Sequence, residues 1–297
     1  MSIKVSGLSK TINQQPILTD ISFDWPATRI IGLVGRNGAG KTTLFRTMAD
    51  HYRPDAGMMT IDGQDVNQHP AARQKLFYID TQNNFFGNQT LGQIATQYAI
   101  GYANFDTSRF DHLLKTERLT LKSHYRQLSK GQRMLSQILL ALASDAPYVI
   151  LDEPFDGLDI LVRERIVALI VSAAADRQIS FLISSHNLDE LDGLCEQALF
   201  LKNQHLVANY DLETLRQRAR KLQLVFKTKT VPAVIKDHGQ LINVYGRVLE
   251  VYFDDYTDAL DAELRAADPV MMTDCPLTIT DVFRVKLGDS RNLLGGE

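Results

Sequence analysis

A glycine-rich segment at residues 35–43, G-R-N-G-A-G-K-T-T, constrains this chain more than any other feature of its sequence. It follows an apolar run at 29–34, R-I-I-G-L-V, which predicts a buried strand, and it precedes a stretch in which Leu44, Phe45 and Met48 recur at helical spacing. Glycines between a strand and a helix let backbone N–H groups converge on an anion at the positive end of the helix. The segment therefore predicts a phosphate-binding loop and a nucleoside triphosphatase.

Within this loop the residue types have separate tasks. Gly35, Gly38 and Gly40 permit the turn, Lys41 reaches the β- and γ-phosphates, and Thr42 offers its hydroxyl to Mg²⁺. A glycine-rich segment can also be a simple tight turn. The strand, the loop and the helix nevertheless fall in register here, which favours the phosphate-binding interpretation.

Composition and charge narrow the function classes. The 297 residues carry a net charge of -3 and the pI is near 6.2, so the chain has no overall basic field and we expect no nucleic-acid partner. Cys195 and Cys275 form no C-x-x-C pair, which predicts neither a zinc site nor a disulfide framework and fits a cytoplasmic setting. No signal peptide is evident and no stretch reaches the roughly 18 apolar residues of a membrane span. We therefore expect a soluble polypeptide whose membrane spans, if it needs them, come from other subunits.

Strand and helix patterns alternate through the middle of the chain. Apolar runs at 148–151 and 179–185 predict strands with a helix between them, and Leu188, Leu191 and Leu194 predict a further helix with one apolar face. This alternation indicates an α/β fold with a parallel sheet covered by helices.

The flanking segments follow different patterns. Alternating residues at 3–25, around the turn N-Q-Q-P, predict antiparallel strands, and helical patterns dominate from about 88 to 140. The basic run R-Q-R-A-R-K at 216–221 marks a composition shift, and it is either a contact for lipid headgroups or a partner, or a solvated helix face. Strand and helix patterns beyond it predict a small α+β accessory domain, so we place the domains at 1–215 and 216–297.

Two carboxylates end the apolar strand Y-V-I-L-D-E-P at 148–154. A phosphate-loop ATPase needs a metal ligand and a base at this position, so Asp152 is predicted to bind Mg²⁺ and Glu153 to polarise the attacking water. Adjacent acidic residues at a strand end are often only caps or surface charges. The phosphate loop upstream favours the catalytic interpretation.

A second anion-binding pattern, L-S-K-G-Q, lies at 128–132 before the apolar stretch R-M-L-S-Q-I-L-L-A-L-A. Ser129 is a good N-cap, and Gly131 lets a phosphate approach the helix N-terminus. As a bare pattern it is also compatible with a helix cap alone.

Taken in order, these motifs resemble those of the ATP-binding cassette (ABC) proteins over residues 3 to about 209. L-S-K-G-Q resembles the family's signature motif, F-D-G-L-D at 155–159 its D-loop, and His186 its switch histidine. The resemblance implies a phosphate-loop NTPase with a RecA-like parallel-sheet core, an antiparallel β subdomain and a helical signature subdomain.

The resemblance also implies that two cassettes dock head to tail, so that each ATP lies between one phosphate loop and the partner's signature motif. Hydrolysis then needs a second copy of the chain or a paired ABC ATPase. Carried over residue by residue, the catalytic residues are Lys41, Glu153 and His186, and the metal-binding residues are Thr42, Asp152 and the Q-loop glutamine. The residues that hold ATP are Gly35, Asn37, Gly38, Ala39, Gly40, Lys41, Thr42 and Thr43, with Ser129, Gly131 and Gln132 acting on the partner's ATP.

Three positions depart from the family pattern. The aromatic residue that usually stacks on adenine is replaced by Ile12, which predicts weak discrimination between ATP and GTP. The Q-loop glutamine is assigned to Gln82, because Thr81 stands where it is expected. Lys130 replaces a glycine of the signature motif and lies either near the partner's triphosphate or in solvent.

The layout is similar to that of single-cassette exporter ATPases of bacteria, whose tails often carry a segment like L-T-I-T-D-V-F at 277–283. This similarity implies export of a drug, peptide or lipid through separate permease subunits, with the ATPase held at the inner face of the cell membrane. The aromatic stretch N-N-F-F-G-N at 83–88 is either a permease contact or a buried loop. The alternative is a non-transport ABC ATPase that acts on ribosomes or nucleic acid, but such proteins carry tandem cassettes, coiled coils or zinc insertions.

Overall fold

The computed structural model describes residues 1–80, 86–228 and 230–287, and the contacts within the chain divide it into two units, Met1–Asn209 and Tyr210–Glu297. In chain order, the elements up to the end of the first unit are β1 (Ser2–Ile12), β2 (Gln15–Pro26), β3 (Ile30–Val34), α1 (Lys41–Met48), β4 (Ala56–Ile61), β5 (Gln64–Asp65), β6 (Leu76–Asp80), α2 (Leu91–Gly101), α3 (Thr107–Thr116), α4 (Lys130–Ala143), β7 (Tyr148–Asp152), α5 (Ile160–Arg177), β8 (Ser180–Ser185), β9 (Gln197–Lys202) and β10 (His205–Asp211).

A sheet in the order β10-β9-β3-β8-β7-β6 forms the centre of the first unit. Its strands β3, β8 and β7 pair in parallel and are buried along their whole length, as is typical of strands covered on both faces. Val34 pairs opposite Ser185, and Asp152 pairs opposite Ser184. The loops that follow these three strands therefore leave the same edge of the sheet, and the predicted parallel α/β core is confirmed.

A second sheet, in the order β2-β1-β4-β5, is built from the predicted N-terminal strands. Its β1 and β2 are antiparallel and joined at Asn13 and Gln14, which both have positive φ angles (50° and 64°), as in a type I′ turn. Alternate residues such as Ile3, Val5 and Trp25 are buried against the core, so the period of two in the sequence reports one buried face.

The segment from about 88 to 140 contains α2, α3 and most of α4. The residue before each helix is an N-cap whose side chain accepts a hydrogen bond from the backbone N–H three residues later. These N-caps are Thr90, Asp106 and Ser129. Such caps satisfy N–H groups that the first turn leaves unpaired, which is why these starts are readable from sequence.

The prediction of a helix from the spacing of Leu188, Leu191 and Leu194 is wrong. The segment contains only a 3-10 turn, Leu188–Glu190, followed by hydrogen-bonded turns, and Gly193 has a φ of 74°, outside the helical region. Leu191 and Leu194 are buried all the same. Their spacing therefore reports burial in a short connection, where the cost of nucleating a helix is not recovered.

The second unit consists of α6 (Leu212–Arg218), β11 (Arg220–Val225), α7 (Ala233–His238), β12 (Gly239–Tyr245), β13 (Val248–Phe253), α8 (Asp258–Ala266), β14 (Met271–Cys275) and α9 (Ile279–Leu287). The strands form an antiparallel sheet in the order β12-β13-β11-β14, with Leu224, Val251 and Leu264 in its core. The accessory α+β fold is as predicted. The short and partly exposed strand β14 had no clear sequence pattern.

The basic run at 216–221 is largely engaged within this unit. Arg218 lies 3.8 Å from Asp254, Lys221 lies 3.1 Å from Asp281, and Arg220 donates hydrogen bonds to carbonyl groups at the end of α6. These contacts favour a structural role for the run over a free basic surface.

The domain boundary predicted near 216 falls inside α6, whereas the two units divide between Asn209 and Tyr210. We propose Tyr210, near the end of β10, as the start of the accessory domain, because this boundary leaves α6 intact. Among the described residues, no helix has both the length and the apolar character needed to cross a bilayer.

Candidate functional site

The glycine-rich loop connects β3 to α1 at the edge of the parallel sheet. Gly38 and Gly40 have φ angles of 79° and 106°, where residues with a Cβ are strained, and no described atom lies within 4 Å of the position that a Cβ on Gly38 would take. This side of the loop is open to a ligand. Gly35 is small for another reason, because a Cβ there would lie 2.8 Å from the carbonyl oxygen of Leu201.

The loop lines a cavity of about 580 Å³. Predicted site residues that line this cavity are Asn37, Gly38, Ala39, Gly40, Lys41, Thr42, Thr43, Glu153 and His186. The tertiary structure therefore brings the phosphate loop, the predicted base and the predicted switch histidine to one place, although they are far apart in sequence.

A chain of polar contacts crosses the cavity. The Lys41 ammonium, only 6% exposed, donates a hydrogen bond to the carbonyl oxygen of Gly35 (2.7 Å) and lies 3.1 Å from Oε1 of Glu153. The other carboxylate oxygen of Glu153 accepts a hydrogen bond from the backbone N–H of His186 (3.2 Å) and lies 2.8 Å from its Nδ1. Both carboxylate oxygens of Glu153 are thus held, one by the phosphate-loop lysine and one by the histidine.

Asp152, the residue before Glu153, is buried. Its carboxylate accepts a hydrogen bond from the Ser184 hydroxyl (2.7 Å) and another from the Thr42 hydroxyl. Burial raises the pKa of Asp152, and these two hydrogen bonds act in the opposite direction. A buried carboxylate beside a hydroxyl supplies the oxygen ligands that Mg²⁺ prefers, so the residues present fit the predicted metal.

The backbone at Glu153 is unusual. Its φ is 49°, a region that residues with a Cβ rarely adopt. Its N–H donates to the Ser184 hydroxyl (2.9 Å), and its carbonyl accepts from the N–H of Asp156 (3.3 Å). Strained backbone that surrounding contacts hold in place is common where a side chain must be aimed at a substrate.

The signature segment behaves as a capped helix start. Ser129 and Gln132 form a capping box, in which each side chain accepts a hydrogen bond from the other residue's backbone N–H (3.2 and 3.0 Å). Gly131 packs closely on α5, because a Cβ there would lie 2.8 Å from Cγ1 of Val162. These three residues are not among the described residues that line the cavity. Their predicted role on a partner's ATP remains a proposal.

We expect Gly131→Ala to lower the free energy of unfolding by about 1–3 kcal/mol, because the added methyl group overlaps Val162. Thermal unfolding measures this change. Gly101→Ala is the matched control, since no described atom lies within 4 Å of its added methyl group. Adding Val162→Ala should restore much of the lost stability, and a Gly131→Ala protein as stable as wild type would contradict the packing argument.

The residue predicted to contact the nucleobase lies apart from the cavity. Ile12 ends β1 opposite Gln15 in the hairpin and is not among the described residues that line the cavity, whereas Ile17 of β2 does line it. Gln82, the predicted Q-loop glutamine, lies outside the described residues.

For the base contact, we expect Ile17→Ala to weaken ATP and GTP binding by a similar factor of about three- to tenfold, because an isoleucine offers apolar area without reading base edges. Ile12→Ala is the matched variant. Nucleotide titrations compare the two. If only Ile12→Ala weakened binding, Ile12 would be the residue that contacts the base, as predicted from sequence. A strong preference for ATP over GTP would contradict a base contact made only through apolar area.

Two functional positions were missed by the sequence analysis. The hydroxyl of Ser184 donates a hydrogen bond to Asp152 and accepts one from the backbone N–H of Glu153. The sequence feature that could have identified it is the pair of serines that ends the strand I-S-F-L-I-S-S. Ile17 had no signal, because only the approach of β2 to the phosphate loop brings it to the cavity.

The motifs that build this site also match known proteins. The model of the ABC transporter family matches residues 18–156, and that of an AAA domain matches residues 122–192. The chain is 29% identical to the ABC transporter ATP-binding protein YtrB of Bacillus subtilis (strain 168), over 97% of the chain and 99% of YtrB. That match takes in both units.

Two further relatives match about two thirds of the chain. The lipopolysaccharide export system ATP-binding protein LptB of Acidithiobacillus ferridurans is 30% identical over 67% of this chain and 86% of LptB. The thiamine import ATP-binding protein ThiQ of Chelativorans sp. (strain BNC1) is 28% identical over 62% of this chain and 77% of ThiQ. A solved structure described as the ATP binding subunit of an ABC transporter superposes with a TM-score of 0.65 at 26% identity, covering 73% of this chain and 92% of that one.

Proposed function

The chain belongs to the ABC transporter ATP-binding proteins, and from that premise we propose that it powers export of a drug, a peptide or a lipid through separate membrane-spanning permease subunits. ATP binding and hydrolysis follow from the family. The relatives include ATP-binding proteins named for export and for import, so the direction and the cargo belong to the proposal.

The contact of Lys41 with Glu153 and of Glu153 with His186 carries the catalytic part of the proposal. A triphosphate offers Lys41 more negative charge than one carboxylate does, so ATP draws the ammonium away from Glu153. Oε1 of Glu153 is then available to accept a proton from the attacking water, while His186 holds the other oxygen. Mg²⁺, when bound, neutralises phosphate charge, and Thr42 and Asp152 would hold it.

We place the second half of the site on a partner, either another copy of this chain or a paired ABC ATPase. The capped N-terminus of α4 offers backbone N–H groups and a positive dipole to a phosphate. ATP favours the closed dimer because its γ-phosphate contacts both halves, and ADP lacks that contact.

An aromatic groove supports the attachment to permease subunits. A second cavity, of about 800 Å³, is lined by residues of β6 and α2. Aromatic rings in this lining lie close together, with Phe77 stacked on Tyr98 (5.1 Å) and tilted against Tyr102 (5.2 Å). In the same lining, Nε of Arg73 and Oε1 of Gln89 are buried and have no hydrogen-bond partner among the described residues. An apolar groove with unpaired polar groups suits a helix of another protein. We therefore place the ATPase at the inner face of the cell membrane, held there by the permease subunits.

Affinity purification of the full chain from detergent-solubilised membranes, with identification of the attached polypeptides, tests this proposal. We expect proteins with several membrane spans. Gln97→Glu adds a charge to the groove lining and should reduce their recovery several-fold. Ile100→Glu is the control and should not reduce it, because Ile100 is also exposed but is not among the described residues that line the groove.

Recovery of ribosomes or nucleic acid without any membrane protein would contradict the transport proposal and favour the alternative function. Equal recovery with Gln97→Glu and wild type would contradict only the groove as the docking site. Uptake of candidate drugs, peptides or lipids into inside-out membrane vesicles tests the direction, since an exporter accumulates its cargo there with ATP outside.

A further inference from the structure

Lys130 stands at an electrostatically unfavourable position. It is the first residue of α4, at the positive end of the helix, and the first turn contains no acidic residue. A cation at a helix N-terminus is destabilising unless an anion offsets it. In this structure the anion comes from another loop: Nζ of Lys130 lies 2.9 Å from Oδ2 of Asp156.

The ammonium of Lys130 also lies close to the next residue of the loop, Gly157. Gly157 has a φ of 63°, and a Cβ on it would lie 2.7 Å from Nζ of Lys130. The lysine side chain therefore lies across the turn at the space that glycine leaves. The Lys130 ammonium also holds the pKa of Asp156 below its usual range. The pair thus joins the signature segment to the turn that resembles the D-loop.

This turn begins at the predicted base. The backbone N–H of Asp156 donates to the carbonyl of Glu153 (3.3 Å), and that of Leu158 donates to the carbonyl of Phe155 (3.2 Å). The backbone of Glu153, which has a positive φ, thus has two partners: its N–H donates to Ser184, and its carbonyl accepts from Asp156, the residue that pairs with Lys130. A shift of Asp156 would alter the aim of the Glu153 carboxylate.

We propose that Lys130, through its ion pair with Asp156, is a positioning residue that fixes the turn after Glu153 and so links the signature segment to the base of the same subunit. The inference rests on Glu153 being the base of the proposed ATPase mechanism. It gives Lys130 a partner within its own chain, although both side chains of the pair stay more than half exposed and line the phosphate-loop cavity.

Steady-state ATPase kinetics and nucleotide titrations of five variants test the proposal. Lys130→Met and Asp156→Asn should each lower kcat by about three- to fivefold, a modest effect because both side chains are more than half exposed, and should leave the Kd for ATP unchanged. Combining them should cost no more than either alone. The charge-swapped pair, Lys130→Asp with Asp156→Lys, and the conservative Lys130→Arg should recover most of the rate.

Lys115→Met is the matched control, since it removes an exposed lysine that lies 2.5 Å from Asp111 on α3, and it should leave kcat unchanged. A higher Kd for ATP in Lys130→Met with no effect of Asp156→Asn would overturn the proposal in favour of a direct contact with triphosphate. Additive losses without recovery in the swapped pair would also overturn it. Failure of the underlying mechanism is distinguishable, because Glu153→Gln would then hydrolyse ATP normally.

Discussion

Replacing Glu153 with glutamine is expected to slow ATP hydrolysis by about 10²-fold or more while ATP binding is retained. The amide keeps the size of the side chain and still accepts the hydrogen bond from the backbone of His186, but it cannot take a proton from water. Binding is spared because Lys41, which ATP must attract, loses a competing carboxylate 3.1 Å away. Steady-state hydrolysis and a nucleotide titration on the same preparation measure the two effects separately.

The same variant should accumulate as a dimer in Mg-ATP, because the bound triphosphate is not cleaved and continues to join the two halves. Light scattering with ATP and with ADP distinguishes this state. Glu196→Gln is the matched control, since Glu196 forms an exposed pair with Arg29 (3.3 Å) away from the cavity, and it should hydrolyse ATP at the wild-type rate. An undiminished rate in Glu153→Gln would show that another group is the base.

Replacing Lys41 with alanine is expected to weaken ATP and ADP binding by about 10²-fold, because a buried, charge-assisted contact to the phosphates is lost. The ammonium already donates to the carbonyl of Gly35, so its position is set before nucleotide arrives. A titration with each nucleotide measures the loss.

AMP is an internal control for this experiment. Lys41 is predicted to reach the β- and γ-phosphates, which AMP lacks, so AMP should bind wild type and variant alike. If AMP and ATP lost affinity equally, the variant would have a damaged loop, and the loss would not come from a missing phosphate contact. Thermal unfolding of the variant separates that outcome from global destabilisation. We expect a folded variant, because Glu153 keeps its contact with His186 after Lys41 is removed.

Local sequence determined the elements that a few consecutive residues control. The apolar run before the phosphate loop formed a central strand, because burial on both faces selects continuous hydrophobicity. Ser129 and Gln132 made the capping box, because both partners lie within one helical turn. The spacing of Leu188, Leu191 and Leu194 led to a wrong helix prediction. Such spacing reflects only which residues are buried, and Leu191 and Leu194 are buried here without a helix.

The sequence by itself thus determined the phosphate loop, the strand-end carboxylates and the family. Only the tertiary structure decided that Lys41 and His186 share Glu153, that Gly131 accommodates Val162, and that Lys130 pairs with Asp156. The physical reason is distance along the chain. Turns, caps and strand patterns depend on neighbours a few residues away, whereas these contacts join segments whose approach is fixed by packing of the whole core, which no local pattern records.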